Sequence, residues 1–238
     1  MDQTEVNKAD LNKDQNTLNK IDTEVMTNKA LAYTSRAMIE QNRLMILSNY
    51  AASFMGNRQL ANQNTDDIFK NRELILNAHV CQNDVEKNFI QSQITRARLD
   101  YLAHRSKLNS TVLDVSEQMA SINTQLIEIN RAIMAANEYI VEFNSKQIAF
   151  NSDLIEGDDA PEKATSETNG ALIAENRKAM QAIRASAKAN RERINSVLAA
   201  SLDNSDALIE NKSEIAQRRE SIMENRGAML SNKKRLIG

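Results

Sequence analysis

The sequence predicts an all-α protein built of long amphipathic helices in an elongated antiparallel bundle or coiled coil with heptad-spaced Asn. Three observations carry this expectation. Only five Gly and one Pro occur in 238 residues, too few for the turns of a many-stranded β fold. Apolar residues recur at helical spacing almost throughout, and Asn recurs every seventh residue on the same face. The final segment sustains one unbroken seven-residue column: Ile173, Met180, Ala187, Ile194, Ser201, Leu208, Ile215, Ile222, Met229 and Leu236. A seven-residue period over that length implies left-handed supercoiling.

The first element is the polar, acidic start "MDQTEVNKADLNKDQNTLNK", which has no apolar signal region. A helix follows with Asn28, Asn42 and Asn49 in one column, ending near Gly56. Asn71 marks the next helix. The column slips by one residue between Asn49 and Asn57 and again between Asn71 and Asn88; such slips mark helix ends or skips in a continuous coil. Ser110 or Asp114 is the expected start of the following helix, which carries Asn123, Asn130, Asn137, Asn144 and Asn151. Residues 156–170, with the only Pro and a cluster of acids, read as a loop. The domain reading is a long-helix region 1–155, the acidic loop 156–170, and a heptad-repeat region 171–238 continuous with the first. That last region carries Asn176, Asn190, Asn204, Asn211, Asn225 and Asn232, with Ser205 a candidate cap for a split near residue 204. Four long helices fit these breaks.

The residues three and four before each Asn are mostly apolar, as Val25 before Asn28, Ile39 before Asn42 and Ile127 before Asn130. At about 100° per residue they straddle the Asn, which places the amide inside the apolar stripe. An amide buried without partners costs a few kcal/mol. Asn against Asn, or Asn against backbone carbonyls, satisfies it and sets helix register. The other readings are amides at the stripe border bonded to water, and amides that coordinate ions. For the last, the local I-x-x-N resembles an element of trimeric autotransporter stalks, where core Asn can coordinate anions along the axis. Here Lys or Arg, rather than Thr, follows many of the Asn, among them Lys29, Arg43, Arg131 and Arg226.

Net charge is −2, so no overall field favours nucleic acid or an anionic membrane. Residues 170–238 hold 13 Lys/Arg and 8 Asp/Glu, or +5, leaving −7 elsewhere. This asymmetry favours self-association over nucleic-acid binding, for which stacking aromatics are missing. His79 and Cys81, two apart on an expected helix, point to opposite faces, and His104 has no matching ligand. Cys81 reads as buried filler. No phosphate loop, nucleophile elbow or metalloprotease motif occurs.

The function expected is therefore non-enzymatic: a self-associating helical scaffold or filament subunit with no cofactor, no metal and no nucleic acid. Membrane-surface binding or a pore-type role is the alternative, as is a ligand- or pigment-binding bundle. The absence of a signal and of any transmembrane-length apolar run points to the cytoplasm.

Overall fold

The computed structural model describes residues 2–157 and 161–237, and among them the chain is all-α. Helix α1 spans Gln3–Tyr50, a single π-helical segment spans Ala51–Asn57, and helix α2 spans Arg58–Asn77. Helix α3 spans Asp84–Glu156, a 3-10 turn spans Pro161–Lys163, and helix α4 spans Ser166–Ile237. At about 1.5 Å per residue, α3 and α4, with 73 and 72 residues, are each roughly 110 Å long.

The break at 78–83 falls within the column slip between Asn71 and Asn88, which is thus a helix end and not a skip. It follows from a capping box in "QNDVEK". Asn83 Oδ1 accepts from the backbone N–H of Glu86 at 2.9 Å, and Glu86 Oε2 accepts from the N–H of Gln82 at 2.7 Å. His79 and Cys81 lie in this turn, so the helical placement expected for them is corrected. Cys81 is half-buried, and its thiol donates to the His79 carbonyl at 3.8 Å. A second reciprocal cap starts α4. Thr165 Oγ1 accepts from the N–H of Thr168 at 3.1 Å, while the N–H of Thr165 donates to Thr168 Oγ1 at 2.8 Å. That cap makes residues 166–170 helical, within the span 156–170 expected to be a loop; Asp158, Asp159 and Ala160 lie outside the described residues. Helix α3 ends where Gly157 adopts φ 88, a left-handed conformation that glycine enters without Cβ cost.

Three expected breaks are absent. Gly56 lies inside the π-helical segment, which continues the helix, and Ser110, Asp114 and Ser205 lie inside unbroken helices. Their β-branched and short polar neighbours are tolerated because Ser and Thr hydroxyls bond back to carbonyls one turn earlier, as Thr111 does to Lys107 at 3.2 Å.

The chain forms two compact units, Met1–Gln59 with Ala160–Ser221, and Leu60–Asp159 with Ile222–Gly238. In the first, α1 pairs with the leading part of α4. The contacts Asn7–Ser166, Asn28–Ala187, Asn42–Ser201 and Asn49–Leu208 all join residues 159 apart. A constant separation requires α1 and the leading part of α4 to run parallel. The physical reason is the number of reversals: three helical arms instead of four return α4 to the direction of α1. In the second unit, α2 is likewise parallel to the end of α4, whereas α3 runs antiparallel to α2. Arg105 pairs with Asp66, Asp100 with Arg72 at 3.8 Å, and Arg98 with Glu73 at 3.7 Å. The α2–α3 contact centres on Ala97 and on Phe69 packed edge-on to Tyr101, with ring centres 5.1 Å apart.

Candidate functional site: a ladder of Asn to backbone carbonyls

The residues that α1 and α2 bury form a seven-residue column with one extra residue before Asn57: Asn7, Ile21, Asn28, Ser35, Asn42, then Asn57, Asn64 and Asn71. Opposite them lies the apolar column of α4, with Ile173, Met180, Ala187, Leu208 and Met229 buried. Each Asn Nδ2 donates to a backbone carbonyl of that column. Asn28 reaches Ala187 O at 2.7 Å, Asn42 reaches Ser201 O at 2.7 Å, and Asn49 reaches Leu208 O at 2.9 Å. Asn57 reaches Ile215 O at 2.8 Å, and Asn64 reaches Ile222 O at 2.8 Å. At the ends, Asn7 reaches Ser166 O at 3.0 Å and Asn71 reaches Met229 O at a long 3.5 Å.

A helical carbonyl already accepts one N–H, but it has a second lone pair, and the Asn amide uses it. The short side chain matters. Asn places its donor one bond nearer the backbone than Gln and buries no charge, as Lys would. Small α4 residues, Ala187 and Ser201, stand where the amide comes closest, at 2.7 Å. The Oδ1 side is less uniform. Arg191 donates to Asn28 Oδ1 at 3.4 Å, and Gln3 donates to Asn7 Oδ1 at 3.1 Å, while the buried Oδ1 atoms of Asn57 and Asn64 have no partner among the described residues.

The π-helical segment keeps the ladder in step. The separation is 159 residues up to Asn49 and 158 from Asn57 onward. The α1 side thus has one residue more than α4 between these rungs, and a π turn absorbs one extra residue without ending the helix. The phase slip after Asn49 is this skip.

Three levels of the column depart from Asn: Asp14, Ile21 and the buried Ser35. Ile21 faces the Met180 level as an apolar layer. Asp14 meets Arg177, whose Nε stands 2.8 and 3.0 Å from its carboxylate oxygens, and the same guanidinium reaches Asp10 at 2.7 Å. The hydrogen bond from Arg177 holds the Asp10 carboxyl below its ordinary value and in turn raises the guanidinium. In the other unit, burial alone would raise Asp66, but hydrogen bonds from Tyr101 and Arg105 prevail and lower it. An acid whose folded pKa is lowered binds fewer protons folded than unfolded, so stability rises with pH across that interval. The two clamps therefore stabilise fully above about pH 4 and are lost as pH falls through their lowered values. Thermal melts between pH 6 and pH 2.5 are expected to show a falling midpoint in the acid limb, and Arg177→Ala to flatten part of that fall.

Of the Asn expected to set register, Asn28, Asn42, Asn49 and Asn71 occupy the seam. Asn123, Asn130, Asn137, Asn144 and Asn151 on α3 are exposed, as are Asn176, Asn190, Asn204, Asn211, Asn225 and Asn232 on α4. Sequence reasoning missed Asn7, Asn57 and Asn64. Asn7 is masked by the Asp and Ile that follow it in the column.

The signal that finds all three is a longer period. Asn7, Asn88 and Asn169 are 81 residues apart, each preceded two residues earlier by Glu5, Glu86 or Glu167. Asn28, Asn109 and Asn190 repeat the spacing, as do Asn42, Asn123 and Asn204. Even the apolar interruption recurs, as Ile21, Leu102 and Ile183. Past the π-helical residue, Asn64, Asn144 and Asn225 correspond, and the Asn57 position reads Asn137 in α3 and Arg218 in α4. The chain is three copies of one helical arm: α1 with α2, then α3, then α4.

Among the described residues no group of three metal-ligating side chains converges, and no helix is long and apolar enough to cross a membrane. The chain matches no family model, no curated protein and no solved structure.

Proposed function

We propose that this chain is a non-enzymatic structural protein, a self-associating coiled-coil scaffold in which the Asn columns set helix register. One observation carries the reading: of three equivalent arms, one uses its Asn column and the other two leave theirs exposed. On α3 the matching apolar positions are bare as well, with Ile127 52%, Met134 62%, Val141 65% and Ile148 66% exposed. Surface of that extent, repeated at seven-residue spacing, is what helix partners cover. The single Cys81 cannot form an intramolecular disulfide, which fits a scaffold in a reducing compartment such as the cytoplasm.

Multi-angle light scattering of the full chain, followed by negative-stain microscopy, tests this. Assemblies of defined mass at micromolar concentration are the expected result. A chain that stays monomeric up to about 100 μM would overturn the proposal, since a stable helical interface has a dissociation constant well below that.

A further inference from the structure

We infer that the groove between α1 and α4 receives the α3 helix of a second copy of this chain, running parallel to both. The inference rests on the scaffold reading and specifies its interface. The groove lies in the first unit, in two cavities of about 600 and 620 Å³ that share Ile183. One wall is the apolar column of α1, with Leu18, Val25 and Ile39; the other is the Asn column of α4, with Asn176, Ile183 and Asn190.

These walls are the two halves of the α1–α4 seam left over. In that seam the Asn column of one arm donates to carbonyls of the apolar column of the next. The apolar column of α1 still lacks a donor arm, and the Asn column of α4 still lacks an acceptor arm. A helix that closes the ring must carry both columns, about 60° apart, at the same period. Helix α3 does, because it is the second copy of the arm. Its contact with α2 uses Ala97, Tyr101 and Arg105, and leaves Leu99, Leu102 and Leu113 exposed. The required face is therefore free.

Direction decides whose α3 it is. The ladder forms between parallel arms, and within its own unit α3 is antiparallel to α2 and to the end of α4. A second copy turned end for end presents α3 in the parallel sense. That α3 then lies parallel to the α1 and α4 walls of the first copy's groove, and the smallest assembly with this contact is a dimer.

Charge supports the register. In the seam, the residue after the Asn position of the accepting arm touches the Asn-column side chain of the donating arm, as Arg177 touches Asp14 and Arg191 touches Asn28. Arg218 is the one cation in the three Asn columns. With α4 donating to α3, the residue that meets it is Glu138. Both are exposed, and neither is ion-paired within the chain among the described residues.

The test is a charge-exchange cycle on the full-length chain, with dimer dissociation followed by sedimentation equilibrium at moderate salt. Arg218→Glu and Glu138→Arg are each expected to raise the dimer dissociation constant about tenfold, the scale of a partly desolvated ion pair. The double variant is expected to return within about threefold of the parent. Circular dichroism confirms that helix content is unchanged in all three. A monomeric parent chain would overturn both this inference and the scaffold reading. A parent that self-associates, with variants whose effects are absent or simply additive, would overturn the α3 docking alone.

Discussion

Asn42→Asp is expected to lower the thermal midpoint at pH 7 by about 6–12 °C. The substitution keeps shape and volume and exchanges only the donor for an acceptor. Asn42 is 8% exposed, and its Nδ2 lies 2.7 Å from Ser201 O. The carboxylate would face a carbonyl oxygen with no donor between them, a cost of about 3 kcal/mol for a buried, unsatisfied and partly charged contact. For a chain of this length each kcal/mol moves the midpoint by about 2–4 °C. The pH dependence identifies the cause. Burial raises the folded pKa of the new acid, so the deficit shrinks as pH falls through that raised value and is smallest below about pH 4, where the acid is neutral in both states and donates again. The same substitution at exposed Asn190, which donates to no other group among the described residues, is expected to move the monomer midpoint by less than about 1 °C. Equal losses at both positions would remove the carbonyl contact as the explanation.

The second large effect comes from deleting one residue at two places. Removing Ser53, an exposed residue of the π-helical segment, makes the rung spacing seven residues on both helices. The π turn is expected to revert to α-helix with stability within about 1 kcal/mol of the parent. Removing Ala37 instead rotates every later rung of α1 by about 100° away from α4. Asn42 and Asn49 would leave the seam together, and the loss is expected to exceed roughly 4 kcal/mol, since each stranded carbonyl contact and apolar layer counts. Urea unfolding of the two deletion variants compares them directly. Equal damage from both would mean that the π-helical segment has a role other than holding register.

Much of this was legible in the residues. The scarcity of Gly and Pro, the seven-residue columns and the skip after Asn49 all correspond to features of the helices. Direction was not legible, because it depends on the number of reversals. The turn at 78–83 has no Gly or Pro to mark it and rests on the Asn83–Glu86 box, a pattern of two common polar residues. The choice among Asn columns was hidden for a different reason. Three arms carry nearly the same column, so no local property separates Asn42, which is bonded, from Asn123 or Asn204, which are exposed. Only a partner in space distinguishes them.

The ladder also has a consequence for how this chain can change over time. Each amide grips the main chain of α4, which is the same whatever side chain is attached. The gripped positions accordingly include Ser166, Ala187, Ser201, Leu208, Ile215 and Met229, a set with little chemistry in common. Side chains there can drift widely while the grip survives, whereas the gain or loss of a single residue in either helix needs a compensating turn. Such a seam works as a ruler: it checks length and is nearly blind to lettering.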